Sequence, residues 1–448
     1  MALDLKTLKK YYNRCDPFEE LEPSDDRNVD LDERTPDGHY VRGVRWVDRL
    51  ARQVILADRP VQCMFSGLPG SGKSTELLRL AAQLKDAGGS NFLTVIANAE
   101  ELIDLADEVD VPDILIALLY ETERQVLVAE GREPADALRD GPMRRLWTWL
   151  SRTDVTLTGA EFGLGGDDAS AKLALELKTR QTVRQKIRAV VSAHLRQFVA
   201  EVQTEFMSLE KRAKALGRAR LVVILDSLEK LQGMSTNFPN VLASAEAVFA
   251  NGAPYLQLPV HVIYTIPPAL IARLRFDSLW FMPMVKLKDR DGKTFEPGYG
   301  AALQLIEKRV PRPILNEILG PTTMADRLRR MIEWSGGYPR EIVRLLRSLI
   351  EEALDGSISE QSFRRTLQMH SDAIRRTVPD YAFPWLAEVE ASKRLPLDSE
   401  EQREIVSRML QNNLVMCYLN DEEWFDLHPV VSTMPAMQPA IEKAKKRT

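Results

Sequence analysis

The most informative segment of the chain, residues 66 to 75, reads Ser66-Gly67-Leu68-Pro69-Gly70-Ser71-Gly72-Lys73-Ser74-Thr75. It contains the complete pattern Gly-x-x-x-x-Gly-Lys-Ser. The apolar residues before it, Val61, Cys63, Met64 and Phe65, predict a short buried strand. Residues 76–84 after it have the three- and four-residue apolar spacing of a helix. A strand, a glycine-rich loop and a helix in this order form a cradle for the phosphates of a nucleoside triphosphate.

Each residue type in this loop has a physical role in phosphate binding. The glycines let the backbone turn inward, so that successive N–H groups and the helix N-terminus face the phosphates. Lys73 is predicted to reach the β- and γ-phosphates, and Ser74 to bind Mg²⁺. We therefore expect residues 67–75 to bind a nucleotide, with ATP and Mg²⁺ as the cofactors.

Composition narrows the class of protein. The chain has 448 residues, 44% of them hydrophobic and 28% charged, which is ordinary for a soluble protein of two or three domains. A net charge of −5 argues against a surface built throughout for nucleic acid. The three cysteines, Cys15, Cys63 and Cys417, have no paired spacing, and no apolar run approaches the length of a membrane span. We expect a cytoplasmic protein with no membrane contact.

The predicted architecture is α/β: a P-loop NTPase three-layer sandwich with a parallel sheet, followed by a helical domain and a C-terminal winged helix. The expected domains are an acidic N-terminal arm (1–40), an ATPase core (41–290) with a helical insertion at about 99–217, a helical lid domain (291–375) and a winged-helix-like domain (376–448). The winged helix is predicted from a helix at 399–411 followed by two apolar runs around Asn420-Asp421.

Three segments outside the loop invite specific predictions. Residues 16–33 carry nine acids against the single Arg27 and are either a solvated linker or a docking segment. From Thr182 to Leu209 an apolar stripe predicts one long amphipathic helix, which packs on its own domain or forms a coiled-coil seam. Residues 163–168, Gly-Leu-Gly-Gly-Asp-Asp, predict a turn or joint before it.

A second acid is needed to organise Mg²⁺ and the attacking water, and the strand 221–226 ends in one. Asp226 is predicted to contact Mg²⁺, and Glu229, three residues on, to polarise the water. A helix N-cap with its capping-box partner is the purely structural alternative. Thr265 ends the next apolar run and could sense the γ-phosphate. The purely structural alternative is that it is an ordinary polar residue at the end of a strand. A fifth strand is expected at 281–287.

The remaining cluster lies between two predicted helices and reads Trp334-Ser335-Gly336-Gly337-Tyr338-Pro339-Arg340-Glu341. Glycines that end one helix and a proline that starts the next predict a helix–turn–helix corner. Arg340 shares a helix face with Arg344 and Arg347. A cation there could meet the γ-phosphate if the corner folds over the loop.

These pieces in this order resemble the additional-strand P-loop ATPases, particularly the STAND and AAA+ groups. The resemblance spans about residues 40–355 and implies ATPase activity, with Gly337, Tyr338 and Pro339 near the nucleotide base. It also implies that Arg340 resembles a sensor-2 arginine and that Thr265 occupies the sensor-1 position. Arg309 and Arg312 lie where some relatives place an arginine finger.

One departure from the family pattern concerns hydrolysis. Many AAA+ enzymes have an acid directly after the strand-end Asp, whereas Ser227 stands here. The resemblance therefore implies firm ATP binding and slow hydrolysis.

The resemblance leaves more than one biological role open. The first is a switch, similar to the ATPases of bacterial antiphage systems, that controls self-association or a separate effector protein. The alternative is a DNA-binding AAA+ ATPase of the replication-initiator or transposition-regulator type, which the acidic balance disfavours. A small-molecule kinase is a third class, and the large helical insertion argues against it.

Overall fold

The computed structural model describes residues 3–32, 34–35, 38–85, 91–133, 141–153, 176, 178–231, 237–274, 279–420 and 422–446. The predicted joint at 163–168 lies outside the described residues. In chain order the elements are α1 Leu5–Arg14, α2 Trp46–Leu56, β1 Gln62–Gly67, α3 Lys73–Lys85, β2 Leu93–Asn98, α4 Ala99–Leu102, α5 Val111–Ala129, α6 Pro142–Thr153, α7 Gln181–Ala193, α8 Leu195–Ala215, β3 Leu221–Asp226, α9 Phe238–Ala250, β4 His261–Thr265, β5 Leu279–Met282, α10 Glu296–Glu307, α11 Arg312–Leu319, α12 Met324–Ser335, α13 Pro339–Glu352, α14 Glu360–Arg375, α15 Phe383–Ser392, α16 Glu400–Gln411, β6 Val415–Leu419, β7 Glu423–Leu427, α17 Pro429–Ser432 and α18 Gln438–Lys445.

A five-stranded sheet in the order β2-β3-β4-β1-β5 is the centre of the fold. Strand β3 pairs in parallel with β2 and β4, and β4 pairs in parallel with β1. All six residues of β3 are buried, as the uninterrupted apolar run 221–225 predicts. With helices flanking the parallel sheet, the predicted α/β class is confirmed. One strand, β4, lies between β1, which precedes the phosphate loop, and β3, which ends in Asp226.

The chain divides into two compact units. We call Asp48–Ser66 with Leu80–Trp280 the sheet unit, and Met1–Val47, Gly67–Arg79 and Phe281–Thr448 the loop unit. In the sheet unit, helices α5 to α9 and the strands share one apolar core. In the loop unit, a second core joins α1 with helices α10 to α14. The linear domain boundaries expected from the sequence remain a prediction.

The prediction of a single long helix that begins at Thr182 is wrong. Helix α7 ends at Ala193 and α8 begins at Leu195, because His194 adopts φ −131° and ψ 28° and leaves the helical region. The apolar stripe continues on both sides of this break, and its members, from Val183 to Leu209, lie in the core of the sheet unit. The stripe is therefore used for packing within its own unit.

The predicted fifth strand is shifted: β5 covers Leu279–Met282 and residues 283–287 form no strand.

The acidic arm of residues 16–33 is a docked segment, apart from Glu33, which lies outside the described residues. Leu21 and Leu31 are buried, and Arg27 pairs with Glu19 and Asp25 within the segment. Apolar burial and internal ion pairs together hold an acidic chain against the loop unit.

Near the C-terminus, α15, α16 and the antiparallel hairpin β6–β7 follow the helical region. The hairpin register runs from Val415 opposite Leu427 to Leu419 opposite Glu423. This gives the predicted helix and hairpin, and the winged-helix assignment itself stays a prediction. Across the described part of the chain, the helices are too short or too polar to cross a membrane.

Candidate nucleotide site

The phosphate loop connects the end of β1 to the start of α3. Gly70 and Gly72 have φ of +87° and +99°, in the region that glycine reaches without steric cost. The Ser71 N–H donates to the Leu68 carbonyl at 3.1 Å, which closes the turn. Ser71 Oγ is buried and has no hydrogen-bond partner among the described residues. The backbone thus forms the inward turn that the sequence predicts.

The Lys73 side chain is folded against the loop that precedes it. Its Nζ donates to the Gly67 carbonyl at 2.9 Å and to the Leu68 carbonyl at 3.2 Å, and the residue is 2% exposed. Phosphate oxygens are stronger acceptors for an ammonium group than backbone carbonyls are. The position of Nζ, the turned backbone and the N-terminus of a 13-residue helix fit a bound polyphosphate.

The corner between α12 and α13 requires both of its glycines. Gly336 and Gly337 have φ of +62° and +80°, and the Ser335 hydroxyl accepts a hydrogen bond from the Gly337 N–H at 3.1 Å. A Cβ added to Gly337 would lie 1.8 Å from the Val285 carbonyl oxygen. The corner is fixed by this close backbone approach, and Pro339 then starts α13.

This corner brings two predicted site residues to the phosphate loop within the loop unit. The Tyr338 hydroxyl donates to the Pro69 carbonyl, and burial raises the pKa of this phenol. A Cβ added to Gly70 would lie 2.7 Å from Nε of Arg340, so the arginine lies directly against the loop. This Nε is buried and has no hydrogen-bond partner among the described residues. The guanidinium also lies 5.3 Å from the ring centroid of Phe18.

Two residues that sequence analysis missed also touch the loop. Asn413, between α16 and β6, donates from Nδ2 to the Tyr338 hydroxyl at 2.8 Å, and the same atom lies 3.5 Å from the Pro69 carbonyl. Arg42 precedes α2, is 1% exposed and donates to the Ser71 carbonyl at 2.6 Å. Both are far from the loop in sequence, and neither belongs to a recognisable motif. The Asn412-Asn413 pair at a helix end signals a turn and nothing more.

The acids predicted for Mg²⁺ and water lie in the sheet unit. Asp226 ends β3 and is 4% exposed, and Ser227 follows it with φ +68°. Glu229, also 4% exposed, lies in the single turn Leu228–Lys230. Because parallel strands end at one edge of a sheet, Asp226 lies at the edge where β1 and β4 also end. This is the edge at which open α/β sheets bind ligands.

Thr265 has an observable structural role at this edge. Its hydroxyl accepts the Leu228 N–H at 3.1 Å and is fully buried, so it holds the turn that carries Glu229. Contact with a γ-phosphate stays a prediction. Of the two arginines considered as fingers, Arg309 follows the end of α10, is 8% exposed and donates to the Leu305 carbonyl of that helix. Arg312 is exposed and pairs with Glu307.

The parallel sheet, the position of β4 between β1 and β3, and the glycine-rich loop between β1 and α3 define a protein of the P-loop NTPase α/β class. No family model and no curated protein matches the chain. Among solved structures, it is similar to the ORC1 protein of Aeropyrum pernix in complex with DNA, with 15% identity and a TM-score of 0.33 over 92% of this chain and 94% of that one. It is similar to the Aeropyrum pernix ORC2 protein (ADPNP-ADP complexes), with 13% identity and a TM-score of 0.36 over 94% and 99%. For Cdc6p from Pyrobaculum aerophilum the identity is 11% and the TM-score 0.35, over 99% of both chains. These TM-scores are low, so the assignment to the class rests on the chain's own sheet and loop.

Proposed function

We propose that the chain is an ATP-dependent switch of the AAA+ type that binds Mg²⁺·ATP at residues 67–75 and hydrolyses it slowly. The observation that carries the proposal is the contact of the α12–α13 corner with the phosphate loop, through Tyr338 and Arg340. A residue that touches both the loop and a helical region can report the state of the nucleotide to that region.

Most of the predicted residues receive a role in this proposal. Backbone N–H groups of the loop and Lys73 bind the β- and γ-phosphates, and Arg340 adds a second cation for the γ-phosphate. Ser74 and Asp226 would hold Mg²⁺, which would neutralise charge on the phosphates. Glu229 accepts the proton of the attacking water, and Gly337, Tyr338 and Pro339 border the base.

Equilibrium binding of fluorescent ATP and ADP, with Mg²⁺, tests the site. Lys73→Ala should weaken binding of both nucleotides by about 100-fold, because it removes charge-assisted hydrogen bonds. Arg340→Ala should weaken the binding of ATP by about tenfold and leave the binding of ADP nearly unchanged, since one hydrogen bond to a charged group is lost. Arg344→Ala, one turn further along the same helix, is the matched control. Wild-type affinity in Lys73→Ala would overturn the proposal.

What the switch controls has two candidate answers from the sequence. They are a DNA-binding ATPase and a switch that controls assembly or an effector protein. In the predicted winged helix, α16 carries Glu400, Glu401 and Glu404 against Arg403 and Arg408, a charge balance that does not favour a phosphate backbone. We therefore keep both roles, control of assembly or of an effector and DNA binding, as candidates for testing.

The two candidate roles predict different results in experiments with purified protein. A DNA-binding ATPase should bind duplex DNA with an affinity that falls steeply as salt rises. An assembly switch should instead change its mass by light scattering when Mg²⁺·ATP is added, and the change should be absent in Lys73→Ala. A protein that neither binds DNA nor changes its mass would retain only the ATPase assignment.

A further inference from the structure

Arg42 is a fully buried arginine that no part of the phosphate-binding motif predicts. It lies 25 residues before Gly67, in the N-terminal segment of the loop unit. Its backbone neighbours are fixed: the Val41 carbonyl accepts from the Lys286 N–H at 3.2 Å, and a Cβ on Gly43 would lie 2.7 Å from Leu419. The side chain therefore projects from a rigid stretch of backbone.

The guanidinium group contacts the loop at a specific carbonyl. Nη2 donates to the Ser71 carbonyl at 2.6 Å, and Nη1 lies 3.0 Å from Glu76 Oε1. Because a trans peptide is planar, its C=O and N–H point in opposite directions. Holding the Ser71 carbonyl toward Arg42 thus turns the Gly72 N–H the other way. A Cβ on Gly72 would lie 3.4 Å from Nη2, so the group also fills the space behind this glycine.

The ion pair continues back to the N-terminal segment. Glu76 Oε2 accepts from Arg79 Nη1 at 2.6 Å, and Arg79 Nη2 pairs with Asp30 at 2.6 Å. Asp30 and Arg42 belong to one segment, and Glu76 and Arg79 to the first turns of α3. The N-terminal segment thus holds both the loop and the helix behind it, at two points joined by hydrogen-bonded charges.

We propose that Arg42 is a positioning residue for nucleotide binding, which orients the Ser71–Gly72 peptide so that its N–H faces the bound phosphates. The inference rests on the proposed function and extends it to the N-terminal segment. In this role Arg42 acts on the backbone of the loop and not on the nucleotide. Loss of this side chain should therefore weaken the binding of ATP and of ADP alike, because both nucleotides carry phosphates that the loop binds.

The test measures ATP and ADP dissociation constants for Arg42→Met/Glu76→Gln. This double variant leaves no buried charge in the Arg42–Glu76 pair, since removing one partner alone often destabilises a fold. We expect the affinities for ATP and ADP to fall by about tenfold or more, because a hydrogen bond from a charged donor is lost. Arg45→Ala, an exposed arginine three residues along, is the control and should bind both nucleotides as wild type does.

Further measurements separate positioning from folding and from the wider proposal. Thermal unfolding without nucleotide should match wild type in the double variant, and Glu76→Gln alone should keep most of the affinity. In Arg42→Ala, added guanidinium ion at non-denaturing concentration should restore part of the binding. Wild-type affinity in the double variant, with binding lost in Lys73→Ala, would overturn the inference alone. Wild-type affinity in Lys73→Ala as well would overturn the proposed function.

Discussion

The two units hold their candidate residues by different means. In the sheet unit, Asp226 and Thr265 owe their positions to the ends of adjacent hydrogen-bonded strands. In the loop unit, the phosphate loop is held by side chains from three distant parts of the chain, represented by Arg42, Tyr338 and Asn413. Strand ends are encoded locally, whereas the contacts around the loop depend on the tertiary fold. The loop unit should accordingly be sensitive to substitutions far from its motif.

The largest expected effect is on the folding of the loop unit, from Gly337→Ala. The new Cβ would meet the Val285 carbonyl at 1.8 Å, at a residue whose φ is +80°. Overpacking and the left-handed conformation together should cost about 4 kcal/mol in the free energy of unfolding. Gly300→Ala is the control, because a Cβ on that helical glycine meets nothing within 4 Å. Denaturant unfolding measures both, and equal midpoints would contradict the close approach.

Glu229→Gln tests whether the sheet unit contributes to turnover and not to affinity. A general base typically contributes 100-fold or more, so hydrolysis should fall by about 100-fold while the ATP dissociation constant stays unchanged. Steady-state phosphate release and equilibrium binding provide the two measurements. Lys230→Ala is the neighbouring control, since its amine pairs with Glu100. A variant that hydrolyses at the wild-type rate would remove Glu229 from the mechanism.

The same contrast explains what the sequence could predict. An uninterrupted apolar run identified β3 and its terminal Asp226, and glycine and proline identified the corner before Arg340, because these signals are local. His194 breaks a helix although the apolar stripe continues through it, so the break has no signal in the pattern. Arg42 and Asn413 carry no local signal either, because their importance arises only when distant backbone segments meet. The fold class and the corner that carries Tyr338 were thus accessible from sequence, whereas the contacts of Arg42 and Asn413 with the loop region were not.

A matched pair of substitutions distinguishes how the units bury carboxyl groups. Glu76 of the loop unit has two arginine partners, whereas Glu123 of the sheet unit accepts the Met143 N–H at 2.8 Å. Burial raises the pKa of Glu123 to about 7, against the opposing effect of that N–H group. A carboxyl whose pKa is raised by folding stabilises most below its unfolded pKa and loses that contribution as pH rises through 7.

At pH 8, therefore, Glu123→Gln should raise the free energy of unfolding by about 2 kcal/mol, and the gain should shrink toward pH 5. Glu76→Gln should lower it at pH 8, because the buried Arg42 loses its counter-charge. This loss outweighs the burial that raises the pKa of Glu76 to about 7 as well, and Arg79 keeps Asp30 as a partner. Chemical unfolding of both variants at pH 5 and pH 8 gives the measurement. The same sign for both substitutions at pH 8 would contradict the distinction between the units.

The smallest effect expected is that of Asn413→Ala, which tests how far the network around the loop extends. The substitution removes the 2.8 Å hydrogen bond from Asn413 Nδ2 to the Tyr338 hydroxyl. The Tyr338 O–H still donates to the Pro69 carbonyl. It should lower the free energy of unfolding by about 1 kcal/mol, the usual net value of one hydrogen bond. Asn413 has φ +54°, so Asn413→Gly separates side-chain loss from backbone strain. If the glycine variant weakens ATP binding as the alanine variant does, the C-terminal region supports the loop through this amide. If glycine restores wild-type binding, the effect of alanine comes from backbone strain, and the network around the loop ends at Tyr338.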